Sequence, residues 1–168
     1  MRAHSTNGGL PSYREGMSAG PSEESVENEL LELSRSECME LLAGCRFGRL
    51  AVCTGEGAPV VRPVNYVFDE PSQSIVFRTD PGSKLHALIR SAKAAFEIDE
   101  AIPQHRTGWS VIIVGVTEEV RSASEIRRLE SVGVDPWGPG EKAHWVRIRA
   151  WTVSGRRIAP AARSGDRA

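Results

Sequence analysis

Between Leu30 and Ile158 the chain alternates short apolar runs with turn-forming clusters, and most of the runs repeat every second residue. A period of two is the signature of a strand with one buried face. It predicts strands over Gly48–Cys53, Ala58–Phe68, Ser74–Thr79 (Ile75 and Phe77 on one face), Ala94–Asp99 and Ser110–Arg121, the last broken near Gly115. A final strand over Trp145–Ile158 turns Val146, Ile148 and Val153 inward. The connections Thr54–Gly57, Asp69–Gln73 and Asp80–Ser83 carry the Gly, Pro, Asp and Ser of tight turns, and Asp99 and Glu100 read as a solvated turn. Three short helices fit the remainder: one from a Ser36 cap through Leu42 and ended by Gly44, one after Gly82 with Leu85, Leu88 and Ile89 on a stripe, and one from a Ser124 cap to about Val132. The pattern predicts a mainly β fold, an antiparallel barrel of six or seven strands with short helices covering its ends. Pro63 stands in mid-strand and cannot donate to a ladder, which marks a bulge or an edge open to a ligand.

At 168 residues, one domain is expected. Residues 1–29 are rich in Gly and Pro and almost lack aliphatics, so they read as a disordered extension, and residues 159–168 as a flexible tail. The 21 basic and 22 acidic residues give a net charge of −1, which argues against a nucleic-acid partner. No apolar run approaches a membrane span and the N-terminus has no signal-like stretch, so a cytoplasmic protein without membrane contact is expected. Cys38, Cys45 and Cys53 form no CxxC, and the four histidines show no ligand spacing, so no metal is expected.

The candidate chemistry gathers between Arg62 and Lys84. If the strands carrying Arg62-Pro63-Val64-Asn65 and Arg78-Thr79 are hairpin neighbours, their ends meet the helix opened by Gly82-Ser83-Lys84. Fixed cations, two hydroxyls and a helix N-terminus are what a phosphate dianion requires. Spacing alone leaves open the alternative of solvated arginines and a plain helix cap. The loop is not a Walker A motif, because Phe77 stands where the first glycine would be. Trp109-Ser110 follows a polar loop and suits either a lid packed on a barrel end or the wall of a planar ligand. No acid–base pair or nucleophile is recognisable.

The ordered set Gly48-Arg49-Leu50-Ala51, Pro59 to Tyr66, Ile75 to Thr79, Gly82 to Leu85, Ala95 to Asp99, Gly108 to Val111 and Gly155 to Ile158 resembles the pyridoxamine 5′-phosphate oxidase-like family, in its small bacterial branch of FMN-binding split barrels. The resemblance runs from Leu33 to Ile158. It implies a split-barrel oxidoreductase that binds FMN at a homodimer interface and acts on a small molecule. It places Arg62, Pro63, Val64 and Asn65 along the cofactor, Arg78, Thr79, Ser83 and Lys84 at its phosphate, and Trp109 and Ser110 near its ring, with Arg156 or Arg157 approaching from the last strand. Two departures narrow the activity. No histidine follows His144, so the Arg-x-His substrate motif of the B6 oxidases is missing, and Arg78 stands where nitroimidazole-reductase relatives usually show histidine. A non-catalytic flavin-binding or sensing module, and a deazaflavin-dependent reductase, are the alternatives.

Overall fold

The computed structural model describes residues 27–53, 56–80, 89 and 93–161. Seven strands form one antiparallel sheet: β1 (Asn28–Glu32), β2 (Phe47–Cys53), β3 (Pro59–Asp69), β4 (Ser74–Thr79), β5 (Lys93–Ile102), β6 (Thr107–Val120) and β7 (His144–Pro160). Among the described residues two α-helices accompany them, α1 (Arg35–Gly44) and α2 (Ala123–Val132). The strand order is β1-β7-β4-β3-β2-β5-β6, and β6 also pairs with β7. That last pairing closes six strands into a barrel and leaves β1 as a flap on β7. Among the described residues no helix is long and apolar enough to cross a membrane. The helix expected after Gly82 lies outside the described residues.

Alternation decides which side chains fill the barrel. Leu50, Val52, Tyr66, Phe68, Ile75, Phe77, Phe96, Ile98, Val111, Ile113, Val146 and Ile148 point inward and form one core with Cys38 and Leu42 of α1. Helix α1 plugs an end of the barrel, and the buried Tyr66 hydroxyl donates to the Leu42 carbonyl at 2.9 Å. Tyr66 meets Phe96 edge to face, centroids 4.8 Å apart.

A second, smaller cluster lies outside the barrel wall. Leu129 and Ile126 of α2 cover Val67, Val76, Val120, Val134 and Trp145. Asp69 at the end of β3 locks this helix in place. Its buried carboxylate accepts two bonds from the Arg128 guanidinium, at 2.6 and 2.8 Å, and one from Ser72. The Arg128 guanidinium, and then the Ser72 hydroxyl, hold the Asp69 carboxyl below its ordinary range in spite of burial.

Several boundaries differ from expectation. Ser34, not Ser36, caps α1, in a capping box with Glu37. Ser122, not Ser124, accepts from the Glu125 amide and caps α2. In both, the cap lies two residues earlier than predicted, where the hydroxyl reaches a first-turn N–H. Strand β5 runs on to Ile102, so Asp99 and Glu100 are ladder residues rather than a turn. β1 was not expected: its five residues are all exposed, so no apolar alternation marks it, and its ladder with β7 makes it a strand.

The β6–β7 register shifts once, between Val114 and Gly115. A Cβ at Gly115 would lie 1.9 Å from the Arg149 carbonyl oxygen, so closure at this bulge requires glycine. Gly115→Ala is therefore expected to destabilise the protein by about 3 kcal/mol or more, read by urea denaturation. Asp69→Asn should cost about 2 kcal/mol at neutral pH. Because the folded Asp69 pKa is depressed, its contribution is present above the unfolded value of about 3.9 and is lost as pH falls through the lower folded value. The stability gap between wild type and Asp69→Asn should accordingly close in denaturation series taken to pH 3 and below.

Candidate functional site

Strand β3 is longer than the strand beside it. It pairs with β2 from Pro59 to Asn65, but with β4 only from Tyr66 to Asp69. The Tyr66 amide donates to the Arg46 carbonyl at 3.0 Å, which sets the phase of the strand. Amides of even-numbered residues turn to β2, and Val61, Pro63 and Asn65 turn to the opposite flank, where β4 has ended. The β2 register passes through Pro63 without a shift, so of the two expectations Pro63 marks an edge and not a bulge. Its missing N–H falls where no ladder needs one.

Around this open flank the expected residues are distributed unequally. Arg62 is exposed, with its guanidinium on the Val61 carbonyl at 2.9 Å. Val64 faces inward and packs on the core. Asn65 occupies the position next to Arg78 when the β3–β4 register is continued by one. Thr79 is buried at the end of β4, opposite His144. Ser83 and Lys84 lie outside the described residues. Arg78 is engaged elsewhere: its Nε donates to the Lys142 carbonyl at 2.7 Å, its Nη2 to the Glu141 carbonyl at 3.1 Å, and its guanidinium lies 5.0 Å from the Trp145 ring centroid.

The connection from α2 to β7 supplies groups that the sequence did not single out. Asp80 accepts from the Lys142 amide at 2.9 Å and from the Lys142 ammonium, which also donates to the Pro139 carbonyl at 2.6 Å. These Lys142 bonds hold the Asp80 carboxyl below its ordinary range. Further along, the Trp137 amide donates to Asn65 Oδ1 at 3.0 Å, and the Trp137 ring stacks on Phe47, centroids 5.5 Å apart and 9° from parallel. Asn65 Nδ2 is buried and has no hydrogen-bond partner among the described residues. The run Asp135-Pro136-Trp137-Gly138-Pro139-Gly140 has no apolar period, so nothing in it reveals where its tryptophan lands.

Trp109 and Ser110 sit apart from this cluster. Trp109 packs on the core edge and its indole N–H donates to Glu100 at 3.0 Å. Ser110 pairs with Asp99 and with Arg156. Strands β2 and β5 intervene between Asn65 and Ser110, a separation of about 14 Å at ordinary strand spacing. Ser110 and Arg156 border two depressions, of about 350 and 440 Å³. Trp109 lines the first with Glu97, Asp99 and Glu100, and Glu32 and Ile112 line the second. The outer wall exposes Phe47 (43%) on β2, Val61 (53%) on β3, and Ile112 (38%) and Val114 (39%) on β6. No disulfide joins Cys38, Cys45 or Cys53, and no group of three His, Cys, Asp or Glu among the described residues is placed to hold a metal.

Comparison with known proteins agrees with this architecture. Residues 34–157 match the pyridoxamine 5′-phosphate oxidase family. An uncharacterized protein of Mycobacterium tuberculosis is 33% identical over 135 residues, covering 77% of this chain and 86% of that one. Among solved structures, an FAD-binding protein from Mycobacterium smegmatis superposes with a TM-score of 0.64 at 29% identity, covering 76% of this chain and 98% of the other. A conserved protein of unknown function from Corynebacterium diphtheriae gives 0.65 at 31% identity, covering 79% and 98%. An FAD-binding protein from Mesorhizobium loti gives 0.62 at 26% identity, covering 79% and 99%. With three quarters of its length inside the family's bounds and its six-stranded barrel intact, this chain belongs to the pyridoxamine 5′-phosphate oxidase family.

Proposed function

We propose that this protein binds a flavin nucleotide, FMN in the first instance, on the open flank of β3, and transfers electrons between it and a small-molecule substrate as a homodimer. The observation that carries the reading is Asn65 Nδ2, a buried donor without a partner among the described residues, beside a strand edge that β4 leaves uncovered. A buried amide N–H is costly unless something accepts from it, and the carbonyls and ring nitrogens of a flavin are acceptors. Arg62, exposed on the same strand, supplies a cation toward the phosphate. Thr79, Ser83 and Lys84 complete the phosphate group of residues in this reading. When bound, a flavin supplies hydride and electron transfer, and the protein's part is to hold it, orient it and screen it from water.

The same geometry supports the homodimer in this reading. Within one protomer Ser110 stands three strands from Asn65, about 14 Å along the wall, and Trp109 and Arg156 flank Ser110. Exposed Phe47, Val61, Ile112 and Val114 lie on β2, β3 and β6 of the same wall. Burying this strip against a second copy brings the Trp109 side of one protomer to the Asn65 side of its partner. A second reading takes FAD as the resident flavin, since two relatives of 29% and 26% identity are described as FAD-binding proteins. Both nucleotides share the riboflavin phosphate that the β3 flank would hold.

Purified protein is expected to keep the two visible bands of an oxidised flavin through desalting, at about one per chain. Chromatography of the released cofactor separates FMN from FAD, and a colourless protein that takes up only a deazaflavin would replace both. Arg62→Ala combined with Lys84→Ala should weaken FMN binding about a hundredfold, on the scale of two charged hydrogen bonds. Equilibrium titration checks this, and unchanged affinity removes the site assignment. Turnover is read by reduction with NADPH or NADH and reoxidation by an acceptor. Ile112→Arg should convert the dimer to monomer in sedimentation equilibrium and lower flavin retention with it. A monomeric wild type that retains flavin would defeat the shared site.

A further inference from the structure

Arg78 donates two hydrogen bonds to, and Asp80 accepts two from, the segment from Trp137 to Lys142. We infer that this segment is a fixed strap whose function is to set the orientation of the Asn65 amide, so that Arg78 and Asp80 are positioning residues for the flavin site. The inference rests on the flavin reading of that site.

An asparagine amide can present either its oxygen or its nitrogen in a given direction. Here the neighbour decides. The Trp137 backbone N–H can only donate, so the atom facing it at 3.0 Å is Oδ1, and Nδ2 is turned away as a donor. Trp137 is held by two features at once, this hydrogen bond and the stack on Phe47. Its segment is held by three more. The Asp80 carboxylate takes the Lys142 amide and ammonium, the ammonium closes back on the Pro139 carbonyl, and Arg78 takes the Glu141 and Lys142 carbonyls while lying over Trp145. Gly140 adopts φ 107°, and a Cβ there would lie 2.6 Å from the Asp80 carboxylate, so the strap closes this tightly on Asp80 only with glycine. Seven contacts on a stretch without regular secondary structure are more than a simple connection needs. Their common end point is one amide whose nitrogen is buried and has no partner among the described residues.

The alternative for Arg78 is direct contact with the phosphate, and electrostatics separates the two. If Arg78 met the phosphate, Arg78→Met would weaken FMN and spare riboflavin, which has none. Asp80→Asn would then strengthen FMN by removing a like charge. If both act through the strap, Arg78→Met and Asp80→Asn should each weaken FMN and riboflavin by the same factor, about tenfold, the worth of one well-placed hydrogen bond. Titrations of both flavins against wild type and the two variants decide this, with melting temperatures to show that the barrel is intact. Hydrogen exchange supplies a reading that needs no flavin. The Trp137 amide should be protected in wild type and released in Asp80→Asn. A Trp137 amide that exchanges freely in wild type, or flavin affinities that follow the charge of the variant, would overturn the strap. A protected strap in a wild type that binds no flavin would instead overturn the flavin reading and, with it, the role of Arg78 and Asp80 in positioning.

Discussion

The pairing of β6 with β7 is the contact on which the other features depend. It turns an open sheet into a ring, and a ring has an inside that twelve or so alternating side chains can fill without a second sheet. It also covers the edge that β6 would expose at the end of an open sheet. The closure is tight enough at one point that only glycine fits, at Gly115 against the Arg149 carbonyl. Once the ring is closed, the mismatch between a long β3 and a short β4 cannot be absorbed by sliding. A one-residue slip would turn Tyr66, Phe68, Ile75 and Phe77 out of the core together. The unpaired stretch of β3 is thus a consequence of closure, and the candidate site occupies it.

Around that flank the structure divides charged residues between two tasks. Arg128, Arg147 and Arg149 are tied to Asp69, Glu125 and Glu118, and join α2 and β6 to the barrel wall. Arg78 is drawn to the strap and to Trp145. Arg62 lies exposed on the open strand, which is where a cation serves a ligand better than it serves the fold. A site whose buried orphan among the described residues is a neutral amide, with charge at its rim, suits a ligand with a flat polar ring and an anionic tail.

Much of the barrel was legible from alternation, because a closed ring demands a strict inside and outside. Five of the seven strands were anticipated to within one to three residues at their starts, and β4 in full. β1 was not, because all its residues are exposed and only the β7 ladder makes it a strand. The helix caps were misplaced by two residues, since Ser34 and Ser36, or Ser122 and Ser124, are equivalent by residue type and only the direction of the entering chain separates them. Asn65 was named as a candidate through the family resemblance. Trp137 was not, because a loop tryptophan has no period to betray its partner.

By itself the sequence determined the alternation that makes a β barrel, the breaks that cut it into hairpins and the crowding of cations and hydroxyls between Arg62 and Lys84. These are local properties, set by side-chain period and by turn residues whose preferences act over a few positions. Tertiary structure alone decided which strand edge stays open, that Arg78 is spent on a strap, that Asn65 presents its nitrogen, and that Trp109 stands across two strands from it. Each of these depends on contacts between residues far apart in the chain, and such contacts exist only after the ring has closed.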